Sequence, residues 1–526
     1  MTWSSGRVRV EAGELAGALT PDFSVKIFRG VPFAAPPVGA LRWRPPQKAK
    51  SWSGVRPALK NGPCCTQAPR PRGSISDFGE EPHSEDCLYL NIWSAASEPD
   101  ERRPVMVWIH GGGFCYGSGS IPLFDGENLA RRGVVVVAIN YRLGPLGFLA
   151  HPDLNAESPH GSSGNFGFLD QIAALEWVRD NIAGFGGDPG CITIFGQSVG
   201  SSSVCCLVAS PLTRGLIHRA ICQSGGSMAP EGAPGGGSMQ TLEQAVDRGR
   251  AFAARHRANS VDAMRTIPAA DLQLPPPGVS GAELARAQAQ LRLSGWLIVD
   301  GHAIPESVHA IYAAGQQNRI PLISGANSHE GSAQPAAASL QALESDIRAR
   351  FGALSEAFFE DCQIHSASDP LEAARIALGE RGFNWQNWTQ LRLHAQTIGA
   401  PAFGYYFSRT QPFPPGAVFR ENTTGNLGAF HTAEIPFVFD NLARRDWPWK
   451  DEDRAYADAM ASFWVNFART GDPNGQGLPE WPRYEPETQM VMVFDAVAQA
   501  GALPNRTRMD FWDRHFEALR AGARLR

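Results

Sequence analysis

VVVVAINY, residues 134 to 141, is a strongly apolar run. It is preceded by PVMVWIH, 104 to 110, and LYLNIW, 88 to 93. All three read as strands, and the near-continuous apolar character of PVMVWIH and VVVVAINY marks them as central, covered on both faces. Upstream, residues 7 to 30 alternate and carry glycines, which predicts strands and hairpins at a sheet edge, followed by a Pro-rich linker over 30 to 46. Downstream, Phe168, Ile172, Leu175 and Val178 recur at spacings of three and four and predict a helix that ends near Gly184 to Pro189. CITIFG then reads as a strand, SVGSSSVCCLVAS as a helix packed through small residues, and HRAICQSG, 218 to 225, as another strand. After residue 226 the pattern changes. MAPEGAPGGGS reads as a surface loop. Residues 240 to 315 are helical, with a Pro-rich break at 270 to 278, and 333 to 400 are mostly helical. IPLISGANSHEG, 320 to 331, passes from strand to loop; FGYYFSR, 403 to 409, is a strand; MDFWDRHFEALRAGARLR closes the chain as a basic amphipathic helix.

Strand and helix alternating in this order predict an α/β architecture: a large central, mostly parallel sheet flanked by helices. We read residues 1 to 526 as one domain with no internal repeat. Its core is expected at about 84–226, 318–331 and 400–445, with mostly helical insertions at about 240–315 and 333–400.

Composition narrows the functional classes. The 526 residues are 43% hydrophobic and carry a formal charge of -5, enough for a large core and unsuited to a polyanionic partner. No nucleic-acid or membrane partner is expected; no apolar run reaches the roughly 18 residues of a membrane span. The N-terminus lacks a signal-peptide pattern, which points to the cytoplasm, or to a secreted or periplasmic site if this chain is a processed form. Nine scattered cysteines match neither a disulfide scaffold nor a zinc site, so no metal or cofactor is expected.

The candidate chemistry starts at GDPGCITIFGQSVGSSS, 187 to 203. A strand that turns abruptly into a helix brings its backbone close to its neighbours. Glycines at Gly196 and Gly200 remove the side chains that would collide, and the turn holds Ser198 exposed above the sheet edge. The helix that follows offers the Val199 N–H to a developing oxyanion. WIHGGGF, 108 to 114, ends an apolar strand in three glycines, and two of their amides with that of Val199 form a three-donor oxyanion hole. No Gly-Lys-Ser/Thr follows, which argues against a nucleotide loop. A serine nucleophile needs a histidine base and a carboxylate behind it, in the chain order Ser, acid, His. The residues alone leave both open. His218, His256, His302, His309, His329, His365, His394, His431 and His515 all follow Ser198. His431 in GAFHTAEIPFVF and Glu330 before Gly331 are candidates, a surface carboxylate being the rival reading of Glu330.

Over nearly its whole length the chain resembles the type-B carboxylesterases, an α/β-hydrolase family that includes para-nitrobenzyl esterase and the cholinesterases. The matching stretches include FRGVPFAAPPVGALRW, SEDCLYLNIW, HGGGF, NYRLGPLGFL, GNFGFLDQIAALEWVRDNIAGFGGDP, FGQSVGSSS, CQSGGS, GANSHEG and HTAEIPFVF. The resemblance implies Ser198 as nucleophile, Glu330 as acid, His431 as base and Gly112, Gly113 and Val199 as oxyanion donors. It also implies a pairing of Cys65 with Cys87, with Cys64 an adjacent competitor, and supporting places for Ser224 and Glu434. This sequence departs from the family at two positions. Gln197 stands where glutamate is common and removes one negative charge. Val199 stands where alanine is common and adds bulk on the acyl or leaving-group side.

The expected activity is hydrolysis of uncharged, short-to-medium or aromatic esters through an acyl-enzyme. Phe114, Trp385, Phe437 and Phe439 are candidates to line an apolar pocket, with core packing as the alternative for each. The alternatives are a specialised hydrolase of carbamates, phthalate-type diesters or a toxin ester, a lipase, or a non-catalytic scaffold relative. The expected partner is a small-molecule ester, and the sequence leaves monomer and homodimer open.

Overall fold

A computed structural model describes residues 6–67, 73–75, 82–233, 238–273, 296–332, 337–420 and 427–522. Eleven strands form its main sheet: β1 Ala18–Leu19, β2 Lys26–Pro32, β3 Tyr89–Ser94, β4 Arg103–Ile109, β5 Val135–Ile139, β6 Gly187–Gln197, β7 Arg219–Gln223, β8 Leu322–Asn327, β9 Ala402–Phe407, β10 Met490–Phe494 and β11 Ala498–Ala502. Their order across the sheet is β11-β10-β9-β8-β7-β6-β4-β5-β3-β2-β1. The pairs from β10 through β5 are parallel, and the two ends of the sheet are closed by antiparallel strands.

The apolar runs become central strands for the expected reason. In β4, Val105, Val107 and Ile109 enter the core on one face, while Met106 and Trp108 enter the core on the other. The flanking helices relevant to the site are α1 Phe166–Asn181, α2 Val199–Ala209, α3 Pro370–Glu380, α4 Asn384–Ile398, α5 Asp451–Thr470 and α6 Arg506–Arg520. Phe463, Trp464 and Phe467 of α5 pack on the Met106–Trp108 side. Phe168, Leu175 and Val178 of α1 and Val204, Leu207 and Val208 of α2 pack on the other.

The sheet reaches beyond the core bounds expected from the sequence. β1 and β2, largely within the sheet-edge segment expected at 7 to 30, extend it on one side, and β10 and β11 add residues 490–502 on the other. AQAGA carries none of the β-branched or aromatic residues that mark strands, and it pairs as β11 because the hairpin after MVMVF delivers it to the sheet edge. Part of the expected 240–315 insertion lies outside the described residues.

Two of the resemblance motifs meet in one buried ion pair. Arg142 of NYRLGPLGFL donates from Nε and Nη2 to the two carboxylate oxygens of Asp170 of NFGFLDQI, at 2.8 and 2.7 Å, and its backbone N–H adds a third bond at 3.0 Å. Their side chains are 3% and 0% exposed, so the carboxylate is satisfied in a place no water reaches.

Candidate active site

The turn after β6 has the geometry its glycines require. A Cβ on Gly196 would lie 2.7 Å from Gly200 and from the Ile109 carbonyl oxygen, and one on Gly200 would overlap that same oxygen. Between them Ser198 is held at φ 60°, ψ -128°, outside the common conformations of an L-residue. Its N–H donates to the Gln223 carbonyl at 2.9 Å, tying the turn to the end of β7. Val199 opens α2, where a backbone N–H has no partner within its own helix.

The glycine loop after β4 runs alongside. Gly112 and Gly113 have φ of 116° and 64°. The Gly112 carbonyl accepts from both Cys115 and Tyr116 N–H at 3.1 Å, which curls the loop over. A side chain at Gly111 would press on the Gln197 carbonyl and Ser198 Cβ, so this loop and the serine turn are packed backbone to backbone.

Glu330 and His431 come together from separate segments. Glu330 lies in the turn after β8, and the backbone of His329 bridges to Phe430, the residue before His431. His431 Nδ1 is 2.5 Å from Glu330 Oε2, while Glu330 Oε1 accepts the Asn327 N–H at 2.8 Å. The Glu330 side chain is fully buried and that of His431 is 24% exposed, so the imidazole has one anchored and one accessible end. Burial by itself would lower the histidine pKa. The charge and hydrogen bond of Glu330, with Glu434 nearby, outweigh it and hold His431 above the ordinary value of 6.5.

Gln197 touches the base directly. Its Nε2 donates to the His431 carbonyl oxygen at 2.5 Å and lies 3.3 Å from His431 Nε2. The carbonyl requires a donor, which fixes the amide with N–H toward the histidine. With Nδ1–H committed to Glu330, Nε2 carries the lone pair, so the neutral amide favours the uncharged imidazole.

A second carboxylate lies behind the first. Glu434 is fully buried and accepts from Gln223 Nε2 at 3.2 Å and Asn327 Nδ2 at 2.7 Å. Burial pushes its pKa up to about 7; the Asn327 hydrogen bond pulls against that and the Glu330 charge adds to it. Asn327 therefore bridges both acids, and Gln223 joins Glu434 to Trp464 Nε1 of α5 at 3.2 Å. Both sit inside quoted motifs, GANSHEG and CQSGGS, yet neither type announces a role from sequence. Phe383, whose ring centroid is 4.2 Å from that of His431, carried no signal either. Ser224 is buried with φ 54°, and its hydroxyl makes no hydrogen bond among the described residues.

The four aromatic pocket candidates are buried and pack against other rings. Phe114, Trp385, Phe437 and Phe439 are each 0% exposed. Phe114 packs against Phe148 and Trp296, Trp385 stacks on Phe516 of α6, Phe437 meets Phe407 and Trp449, and Phe439 packs against Trp108 and Phe195. Apolar residues in a strand-to-helix region satisfy burial on either side of a wall, and sequence does not say which side. Cys65 and Cys87 lie buried beside each other as thiols in this structure; contact with Cys65 and burial hold the Cys87 thiol well above its ordinary pKa. Among the described residues no helix is long and apolar enough to cross a membrane, and no group of three or more His, Cys, Asp or Glu could hold a metal ion.

Comparison with known proteins bears on this geometry. Residues 4–512 match the carboxylesterase family. The fumonisin B1 esterase of Sphingopyxis macrogoltabida is 36% identical over 91% of this chain and 84% of its own. The para-nitrobenzyl esterase of Bacillus subtilis is 34% identical over 93% of this chain and 94% of its own. A solved para-nitrobenzyl esterase structure superposes with a TM-score of 0.77 at 32% identity, covering 97% of this chain and 100% of that one. The architecture is that of the α/β-hydrolases.

Proposed function

Because this chain belongs to the carboxylesterase family and is a carboxylesterase, we propose that it cleaves its ester through an acyl-enzyme on Ser198. His431 takes the Ser198 proton through Nε2 as Oγ attacks the carbonyl carbon. Glu330 keeps the proton on Nδ1 and balances the imidazolium that forms. The amides of Gly112, Gly113 and Val199 receive the oxyanion. His431 then protonates the departing alcohol, and a water activated by the same nitrogen releases the acid. The observation that supports this reading most is the His431–Glu330 contact of 2.5 Å, made beside the turn that carries Ser198.

The test is kcat/KM over para-nitrophenyl esters from acetyl to palmitoyl. The expected result is a maximum at short-to-medium acyl chains. Activity rising only above the substrate's aggregation point would replace this reading with a lipase. A second reading, a hydrolase specialised for one bulky ester, is favoured by the relative named fumonisin B1 esterase. Flat inactivity on the series with turnover of fumonisin B1 would select it.

The base also sets a pH dependence. Only neutral His431 can accept the serine proton, so activity is lost as pH falls through its pKa. Since Glu330 holds that pKa above 6.5, the acid limb of kcat/KM is expected to have its midpoint above 6.5. Gln197→Glu places a further carboxylate beside Nε2 and should move the midpoint up by about 1 pH unit. A midpoint below 6, unmoved by the substitution, would contradict the assignment of His431.

A further inference from the structure

An oxyanion hole works only if its donors are already aimed. The loop meant to supply two of them is made of residues that hold no shape by themselves: Gly111, Gly112, Gly113 and Gly117 lie within seven positions. Its first end is secured. The His110 ring stacks on Tyr141 with centroids 4.4 Å apart, and Tyr141 Oη donates to the His110 carbonyl at 2.7 Å. Its middle is held where the Gly144 N–H donates to the Phe114 carbonyl at 2.6 Å. The remaining fixed point is Gly117, where φ is 124° and a Cβ would overlap His110. Gly117 therefore lies directly on the residues that lead into Gly112 and Gly113.

The Gly117 peptide is buried, so both its polar groups need partners. One side chain supplies both. Gln67 Oε1 accepts the Gly117 N–H at 2.8 Å, and Gln67 Nε2 donates back to the Gly117 carbonyl at 3.0 Å and to the Cys65 carbonyl at 3.0 Å. The amide imitates one rung of an antiparallel ladder, with the Gly117 backbone on one side and a side chain on the other. Its own position is fixed by the short strand Cys64–Cys65. Only an amide of this length does this: a carboxylate lacks the donor and an apolar residue lacks both groups. Gln67 is itself 7% exposed, which keeps water from competing.

We propose that Gln67 is a positioning residue for the oxyanion loop, clamping Gly117 so that the Gly112 and Gly113 amides stay aimed at the reacting oxygen. The proposal rests on the reading of those amides as oxyanion donors. It separates Gln67 from a residue that merely satisfies a buried peptide, because a clamp acts on the transition state and not on substrate binding.

The experiment compares the full-length chain with Gln67→Met and the isosteric Gln67→Glu. Rates on para-nitrophenyl acetate are normalised to sites titrated with a phosphonate. Binding of an aryl trifluoromethyl ketone, whose adduct places an oxyanion in the hole, is measured alongside. For Gln67→Met, kcat per titrated site should fall about 10- to 100-fold, less than or near the loss from deleting a donor outright, with little change in KM. The ketone inhibition constant should rise by the same factor. Gln67→Glu keeps the acceptor and regains a donor only when protonated, so its deficit relative to the parent should deepen as pH rises. If Gln67→Met fails to fold, this pH-dependent ratio decides. Unchanged kcat and ketone binding per titrated site, even with a lower melting temperature, would overturn the proposal and leave Gln67 a structural residue. Should the parent chain neither turn over esters nor be titrated, the acyl-enzyme reading fails by itself. Hydrogen exchange at residues 111–119 then judges the clamp: faster exchange in the variants supports it, and unaltered protection overturns it.

Discussion

Ser198→Ala is expected to lower kcat by about six orders of magnitude while leaving the fold intact, a loss of about 8 kcal/mol of transition-state stabilisation. The reason lies in the division of labour at the site. His431 and Glu330 touch each other whether or not the serine is present, but their proton transfer has no purpose without an oxygen to activate. The proposed oxyanion donors are untouched by the substitution, so a residual acceleration of about 10³ over water should survive. The substitution removes one oxygen and changes no backbone requirement: alanine at φ 60° is no more strained than serine. Melting temperature should therefore match the parent. Stopped-flow measurement would show a burst of para-nitrophenol in the parent and none in the variant. A variant retaining a hundredth of the parental rate would assign the nucleophile to another residue.

The largest expected stability effect is at the buried Arg142–Asp170 pair. Asp170→Ala leaves a guanidinium in a place where Arg142 is 3% exposed, with its two best acceptors gone. Removing one partner of a buried pair costs about 3–5 kcal/mol, because the surviving charge has lost its compensation and cannot reach water. The double variant Arg142→Met with Asp170→Leu removes both charges together and should cost less than the single change. Urea unfolding midpoints for the three proteins test this. A single variant within about 1 kcal/mol of the parent would mean the arginine finds other acceptors. Arg142 is followed by Leu143 and Gly144, and the Gly144 N–H holds the Phe114 carbonyl of the oxyanion loop. Some loss of kcat should accompany the loss of stability.

The parts of the fold and site that could be read from sequence are those where local chemistry admits one solution. VMVWI and VVVAI could only be buried strands, and they are neighbours at the centre of the sheet. GQSVG could be resolved because a strand, a strained serine and a helix all lie within a few residues. The proposed base and acid lie beyond the reach of local chemistry. Nine histidines follow Ser198, and what distinguishes His431 is a backbone bridge between residues 329 and 430, a long-range pairing with no local signature. Resemblance carried that assignment. The pocket aromatics are ambiguous for a related reason: burial against Trp108 or Phe516 and burial against a ligand demand the same side chain. Asn327 and Gln223 were unreadable because an amide becomes informative only when its partners, here Glu330, Glu434 and Trp464, are known. Gln67 belongs with them, two positions past a cysteine that drew the attention.

The segments that build the site are far apart along the chain: 101 residues separate Glu330 from His431, and 234 separate Gln197 from His431. Closing loops of that size is entropically slow compared with forming α2 or the turn that begins it. The serine elbow can therefore exist in a chain that is not yet an enzyme. On the proposed mechanism, Ser198 leaves the ribosome well before His431 during synthesis, and a chain stopped short of residue 431 carries a reactive-looking motif with no means to use it. Activity in this protein is a property acquired late, on completion of the fold, so enzyme turnover reports complete assembly where secondary-structure content reports only its early steps.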